Sequence, residues 1–271
     1  TEDLQSDGAV ALGGTVTYAG LTAQALGHQP AIITSCAEET PLKALNPIPI
    51  KQLLSPRSTQ FRNIPTVTGR VQYLFNQATI ITAQSLPEKW SKPAIVHIAP
   101  VFNDVDPAIL AQFPDSFRCL TPQGWMREVD KNNRVQAKTL SGLDKWLGYA
   151  HAIVLSREDL QGDVAEASRL ANLVSTLVMT DRENGAHVYF KGKIQRFPAP
   201  NVELIDDTGS GDIFATCFFH HLYRHQNPWQ ATRFAVELAS QSVTRRHLNS
   251  ITTKNEIQKA GQLALEQALY G

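Results

Sequence analysis

Ile205-Asp206-Asp207-Thr208-Gly209-Ser210-Gly211-Asp212 runs directly into Ile213-Phe214-Ala215-Thr216-Cys217-Phe218-Phe219. The first part sets two glycines one residue apart among small and acidic residues. The second places Ile213, Phe214, Cys217, Phe218 and, one turn on, Leu222 at helical spacing. Together they read as a glycine-rich loop opening a buried helix. Such an opening gathers unpaired backbone N–H groups and the positive end of the helix dipole, and it suits a phosphate. Asp212 stands where that anion would sit. Its carboxylate is either an N-terminal cap or a base held beside a phosphoryl group.

The rest of the chain is long and apolar enough to build a large core around that loop. It has 271 residues, 42% of them hydrophobic, which suits one large α/β domain. Lys plus Arg and Asp plus Glu both number 25, so the formal net charge is zero. That balance argues against a general nucleic-acid or membrane-surface binder, which needs a basic excess. Cys36, Cys119 and Cys217 are far apart and form no CxxC pair. They read as buried thiols in a reducing compartment, not as a disulfide frame or zinc site. No apolar run is long enough to span a bilayer and no signal peptide opens the chain, so a cytoplasmic protein is expected.

Upstream of the loop the pattern is that of alternating strands and helices. Gly13-Gly14 precedes an Ala- and Leu-rich helix that Gly27 stops. Ala31–Cys36 reads as a strand. Thr59–Asn63 and Gly69–Phe75 read as a half-exposed hairpin, with Val71, Tyr73 and Phe75 on one face. Ala94–Ala99, Phe117–Leu120, Ala152–Leu155 and Leu173–Met179 read as buried parallel strands, the first residues of the last being either strand or the end of a helix. Helices are expected at Val105–Phe113, Leu143–Ala150 and Val164–Leu173. A hairpin follows, Ala186–Phe190 with Lys193–Phe197 around Gly192, and an amphipathic segment covers Arg233–Arg245. In such folds ligands bind beyond the carboxyl ends of the strands. That points to Pro100–Asn103, Thr121–Trp125 and Ser156–Asp159. Asn103 and Gln123 either contact hydroxyls there or bond within their loops. Arg70 either reaches an anionic or polyhydroxy ligand or is a solvated edge residue. His220, His221 and His225 imitate a metal site in spacing but read as the polar ends of a surface-reaching helix.

Asp206-Asp207-Thr208-Gly209-Ser210-Gly211-Asp212 resembles the signature of the ribokinase-like sugar kinases, also called the PfkB carbohydrate kinases. The family writes Asp-Thr-x-Gly-Ala-Gly-Asp, so Asp207 replaces Thr and Ser210 replaces Ala. Gly13-Gly14 resembles the family's first motif, with Tyr18 where Asn is usual. Val178–Ala186 resembles its Thr-x-Gly-x-x-Gly nucleotide loop, matched at Thr180 and Gly185, with Arg182 replacing the first Gly. Ser156-x-x-Asp159 stands where the family has Asn-x-x-Glu. The Gln123-Gly124-Trp125-Met126-Arg127 run resembles a Gln-Gly-x-x-Arg stretch of the inositol kinases, which points toward a cyclic polyol.

The resemblance implies an α/β three-layer sandwich with a mainly parallel central sheet. It implies one kinase domain over 1–271, with a small β lid from about 57–78. It implies ATP and Mg2+, with K+ used by some relatives, a small sugar or polyol as acceptor, and a homodimer through the lid. Asp212 would be the base, and Gly209, Ser210 and Gly211 the anion hole. Asp3, Gly13, Gly14, Arg70, Asn103 and Gln123 would meet the acceptor. Ser156, Thr180, Arg182, Gly185 and Thr208 would meet the nucleotide, and Asp159 would reach magnesium through water. Relatives open with a buried strand ending in an aspartate. Here only that aspartate is read, as Asp3, and an exposed terminal acid is the other reading.

Two other classes of function stay open. Tyr18, Ser156, Asp159 and Arg182 depart from the family pattern, which fits a ligand-binding or regulatory protein that kept the fold and lost catalysis. A nucleoside kinase is the second alternative. No Gly-Lys-Ser/Thr loop is present, so this is not a P-loop kinase. Ser210 lacks the Gly-x-Ser-x-Gly spacing of a hydrolase nucleophile.

Overall fold

The apolar runs at residues 95–98, 152–156 and 176–180 have no polar face, so they need cover on both sides. The computed structural model describes residues 1–4, 10–66, 69–90 and 92–270, and it supplies that cover. The chain opens with the short strands β1 (Glu2–Leu4) and β2 (Val10–Leu12), followed by helix α1 (Thr15–Ala25). β3 (Ile32–Cys36) and β4 (Ile50–Leu54) pair in parallel as a sheet of their own. β5 (Gln60–Thr66) and β6 (Gly69–Asn76) form a hairpin. β1 lies parallel to β5 and antiparallel to β2, which gives an outer sheet of order β2-β1-β5-β6. The hairpin expected within 57–78 is therefore part of a larger, four-stranded outer sheet.

The central layer follows. β7 (Ile95–Ile98) and β8 (Phe117–Leu120) precede a small hairpin, β9 (Arg127–Val129) with β10 (Val135–Ala137). Then come α2 (Asp144–Leu147), β11 (Ala152–Ser156), α3 (Val164–Ala171), β12 (Thr176–Thr180), β13 (Ala186–Phe190) and β14 (Lys193–Phe197). The six-stranded sheet has the order β14-β13-β12-β11-β8-β7, and only β13 runs against its neighbours. Three helices close the chain: α4 (Ser210–His225), α5 (Pro228–Ser242) and α6 (Lys254–Tyr270).

Strand alternation divides the core between two faces. Ala152, Val154 and Val178 join a cluster with α4, α5 and α6, through Phe218, Leu238 and Ala264. Ile153, Leu155, Leu177 and Met179 join the opposite cluster with α3, through Ala167 and Leu170. The result is the three-layer sandwich with a mainly parallel central sheet that the resemblance implies. Ile33 and Leu53 of the β3–β4 pair pack against the second cluster.

Several expectations need correction. Asp3 is neither a strand end of the central sheet nor an exposed terminal acid. It stands in the outer sheet, because the Glu2 N–H bonds the Thr59 carbonyl at 3.0 Å and leads β1 along β5. Among the described residues no strand joins β7 to β3. The expected helix at Val105–Phe113 is a 3₁₀ turn over Pro107–Gln112. Asp106 caps it and Pro114 ends it, since the residue before a proline is driven out of the helical region. The expected helix at Leu143–Ala150 shrinks to the single turn α2, where Gly148 interrupts at about 1 kcal/mol relative to alanine. Leu173–Ser175 precede β12 rather than belong to it. Among the described residues no helix is long and apolar enough to cross a membrane.

Candidate active site

α4 begins where the sequence places it. Gly209 is its N-cap, at φ 79° and ψ −2°, a left-handed conformation that glycine adopts without a Cβ penalty. The Ser210 N–H donates to the Asp207 carbonyl at 3.1 Å, closing the turn, and the Ile213 N–H donates to the Gly209 carbonyl at 2.9 Å. Among the described residues the N–H groups of Gly209 and Gly211 meet no backbone acceptor. Asp212 is half-buried in the first turn of α4, where the dipole favours a carboxylate. Its backbone carbonyl accepts from Thr216 Oγ1 at 2.8 Å. Beyond the first turn the helix is core: Ile213 through Phe219 are buried, and α1 and α5 pack on either side.

Asp206 ties the loop down. Its Oδ1 accepts from the Thr208 N–H at 3.0 Å and its Oδ2 from the His247 N–H at 2.9 Å. The N–H groups of Ile205 and Asp206 both donate to the Val243 carbonyl at the end of α5. Burial alone would push the Asp206 carboxyl up. The two N–H donors outweigh it and hold the group below its ordinary 3.8. A folded-state pKa below the unfolded one adds stability that is complete above the ordinary value and lost as pH falls through the depressed one. Parent protein and Asp206→Asn are therefore expected to differ in stability at pH 7, with the gap starting to close below about pH 4 and closing further as pH falls through the depressed Asp206 value. Denaturant melts across pH check this, and a gap as large at about pH 2 as at pH 7 contradicts it.

The glycine pair lies on the other side of the loop. A Cβ on Gly13 would fall 2.2 Å from Asp3 Oδ2, so the Asp3 carboxylate rests directly on the Gly13 backbone. The outer sheet reaches the same place through Asn63 Nδ2, which donates to Asp3 Oδ1 at 3.4 Å, and Gln72, which donates to Asn63 at 2.8 Å. Asp3, Gly13 and Gly14 are thus brought together as expected. Asn63 and Gln72 were missed, because one polar side chain in a half-exposed strand carries no signal. Tyr18, one turn into α1, is 3% exposed, and a Cβ on Gly209 would meet its ring at 2.3 Å. Arg70 stands in β6 opposite Pro65, and its side chain lies outside the described residues.

Two expected acceptor residues point elsewhere. Asn103 Nδ2 donates to the Arg127 carbonyl at 2.9 Å, and its Oδ1 accepts from Lys138 Nζ at 3.2 Å. Its amide is used in fastening the β9–β10 hairpin. Gln123 Nε2 donates to Asp159 Oδ1 at 3.2 Å, on the side of the Ser156 loop. The other oxygen, Asp159 Oδ2, accepts from Ser156 N and Ser156 Oγ, both at 2.8 Å.

The residues read as a nucleotide site line up along β11 and β12. Thr180 Oγ1 donates to the Leu155 carbonyl at 3.3 Å. Arg182 has φ 47° and pairs with Glu158 at 2.7 Å, while Arg157 pairs with Asp181 at 3.0 Å, so two ion pairs cross between the loops. Hydrogen bonding to Glu158 is the main reason the Arg182 guanidinium is held above its ordinary range, and Asp207 of the signature loop adds to it. Gly185, at φ 91°, meets the Phe197 carbonyl so closely that a Cβ would lie 1.9 Å from the oxygen. Thr208 is exposed beside Gly209.

The histidines pair with one another. His28 Nε2 and His220 Nδ1 are 2.7 Å apart, and the His221 and His225 rings are 4.3 Å apart. Burial, then the charges of His28 and Arg224, push His220 down to about 3, so it is neutral. Among the described residues no group of three or more His, Cys, Asp or Glu side chains gathers as a metal site.

Comparison with known proteins gives three findings. Residues 119–255 match the family described as pfkB family carbohydrate kinase. A fructokinase of Klebsiella pneumoniae is 32% identical over 105 residues, which are 36% of this chain and 34% of that protein, so the match spans about a third of its length. Among solved structures, a pyrophosphate-dependent kinase in the ribokinase family superposes with a TM-score of 0.80 at 20% identity, covering 96% of each chain. A fructokinase of Xylella fastidiosa with bound ATP gives 0.74 at 14% identity, covering 98% of this chain and 96% of that one. The ribokinase of Thermotoga maritima gives 0.72 at 17% identity, covering 94% and 89%.

Proposed function

The chain belongs to the pfkB family of carbohydrate kinases, and from that premise we propose that it transfers a phosphoryl group to an alcohol of a small sugar or cyclic polyol. One observation carries the reading. A half-buried carboxylate, Asp212, and the N–H groups of Gly209 and Gly211 share one helix start, beside the Asp3–Gly13 turn.

Catalysis is positioning plus charge stabilisation. Asp3, Gly13 and Gly14 hold the acceptor. Asp212 takes the proton of the reacting hydroxyl. The N–H groups of Gly209 and Gly211 receive the charge of the transferring phosphoryl group, while the Ser210 N–H is used in closing the turn. Asp159 offers hard carboxylate oxygens, as magnesium prefers. Both already accept hydrogen bonds, so a contact through water fits the site better than direct ligation. Bound there, magnesium would neutralise charge on the donor phosphates. The three buried thiols Cys36, Cys119 and Cys217 suit a cytoplasmic enzyme.

The donor has two readings. ATP follows from the family. Pyrophosphate is favoured by one feature, the replacement of a glycine of the nucleotide loop by Arg182. Its guanidinium pairs with Glu158, and the charge of the signature-loop acid Asp207 reaches it as well. A cation there suits a small polyanion, and a similar structure comes from a pyrophosphate-dependent kinase in complex with myo-inositol.

The test is product formation from Mg-ATP and from Mg-pyrophosphate across inositols, sugars and nucleosides. One sugar or polyol class is expected to turn over. Arg182→Ala is expected to raise the donor KM about tenfold, the loss of one charge-assisted contact, with the acceptor KM unchanged. Preference for nucleosides would make it a nucleoside kinase. Tight acceptor binding without turnover would make it a sensor on this fold.

A further inference from the structure

We infer that Tyr18 is a positioning residue of this site, its ring setting the Gly209 turn from which the anion hole is built; the inference rests on the kinase reading above. Tyr18 sits one turn after Gly14, so the helix start that shapes the acceptor turn also places the ring. The ring is 3% exposed and belongs to the same core cluster as Ile213, Phe214 and Cys217 of α4. Its contact with the loop is unusually close. A Cβ built on Gly209 would lie 2.3 Å from Cδ1, 2.4 Å from Cγ and 2.5 Å from Cε1, so the glycine backbone lies directly on the tyrosine ring. Gly209 holds a left-handed conformation there, and its ψ aims the N–H groups that follow. The ring is a rigid, locked wall on one side of that turn. A flat side chain seats the turn, whereas the branched or short residues that would also fill the core leave it room to rotate.

The hydroxyl adds a second feature. Burial first, then the carboxylates of Asp206, Asp212 and Asp3, push the phenol up to about 12, so it stays protonated. Tyr18 therefore ties the helix that follows the acceptor turn to the signature loop with one side chain. Phe218 fills the same cluster, and the three atoms nearest a Cβ on Gly209 all belong to Tyr18. A purely space-filling role would leave catalysis untouched.

The experiment compares Tyr18→Phe with Tyr18→Leu, reading kcat, acceptor KM, melting temperature and the Kd of inorganic pyrophosphate by calorimetry. Tyr18→Phe keeps the ring and is expected to hold kcat within about fivefold. Tyr18→Leu frees the turn and is expected to lower kcat about a hundredfold, as a displacement of about 1 Å does, with acceptor KM within about threefold. Its pyrophosphate Kd is expected to weaken about tenfold, while Asp212→Asn leaves that Kd unchanged or tighter. If Tyr18→Leu does not fold, Tyr18→Met, which keeps the bulk without the flat ring, takes its place and must reproduce the loss of kcat and the weaker pyrophosphate Kd. A Leu variant that melts lower yet keeps kcat and pyrophosphate Kd overturns the inference. If the parent turns over no acceptor, the kinase reading fails and the pyrophosphate Kd alone still decides the role of Tyr18. A parent that neither turns over nor binds pyrophosphate overturns both.

Discussion

Asp212→Asn is expected to lower kcat by about 10²–10⁴-fold, the range for removing a positioned general base, while the fold around it stays intact. Asparagine has the same shape and cannot take a proton. Two features keep the variant folded. The Thr216 hydroxyl bonds the main-chain carbonyl of residue 212, at 2.8 Å, and so survives the change. The turn itself is closed by Ser210 and Asp207 and docked through Asp206, none of which involves the Asp212 side chain. The stability lost includes the attraction of a carboxylate to the helix N-terminus, about 0.3–1 kcal/mol. At roughly 2–4 °C per kcal/mol for a chain of this size, that part lowers the melting temperature by a few degrees. Initial rates with each donor, paired with thermal melts, check the prediction. A variant that keeps more than a tenth of parent kcat removes Asp212 as the base. A variant that melts far lower shows a structural role instead.

What could be read from the sequence was local. The signature loop was legible because Gly209, Gly211 and Asp212 are adjacent and an apolar helix follows. The hairpin at 186–197 was legible because its turn, Lys191-Gly192, needs two positive φ angles and declares itself with a glycine. The contacts that complete the site are between distant residues. Asp206 bonds the backbone of His247, Tyr18 lies on Gly209, and Asp3 lies on Gly13 only because β1 crosses to the outer sheet. Such pairings leave no periodicity. Nor does a sequence say where an amide points: strand-end position suggests Gln123 and Asn103 as acceptor residues, and a motif resemblance adds to it for Gln123. Their partners, Asp159 and Lys138, lie 36 and 35 residues away. The 3₁₀ turn at Pro107–Gln112 was misread for a different reason. Its apolar spacing is helical, but two prolines bound it too tightly for an α-helix.

Gly185→Ala is expected to be the most destabilising single change in the nucleotide loop, at about 3–5 kcal/mol. Two costs add. The backbone at φ 91° and ψ −126° lies in a region essentially closed to residues with a Cβ, which costs about 1–3 kcal/mol. The new methyl would also fall 1.9 Å from the Phe197 carbonyl oxygen and 2.7 Å from the Ala199 nitrogen. Relieving such overpacking costs typically about 1–3 kcal/mol, and more where backbone must move. Here it must. Phe197 pairs with Ala186 in the β13–β14 ladder and is 4% exposed, and the Gly185 carbonyl accepts from the Asp181 N–H at 2.7 Å. Gly192→Ala separates the two costs. Its φ is also positive, at 74°, but no atom lies within 4 Å of the added Cβ. It should lose only the backbone term, about 1–2 kcal/mol. In melts this becomes a drop of roughly 6–20 °C for Gly185→Ala against a few degrees for Gly192→Ala. Equal drops for the two variants would mean that the close approach of Gly185 to Phe197 contributes nothing. A drop for Gly185→Ala accompanied by a raised donor KM, with acceptor KM unchanged, would tie the same packing contact to the shape of the donor loop.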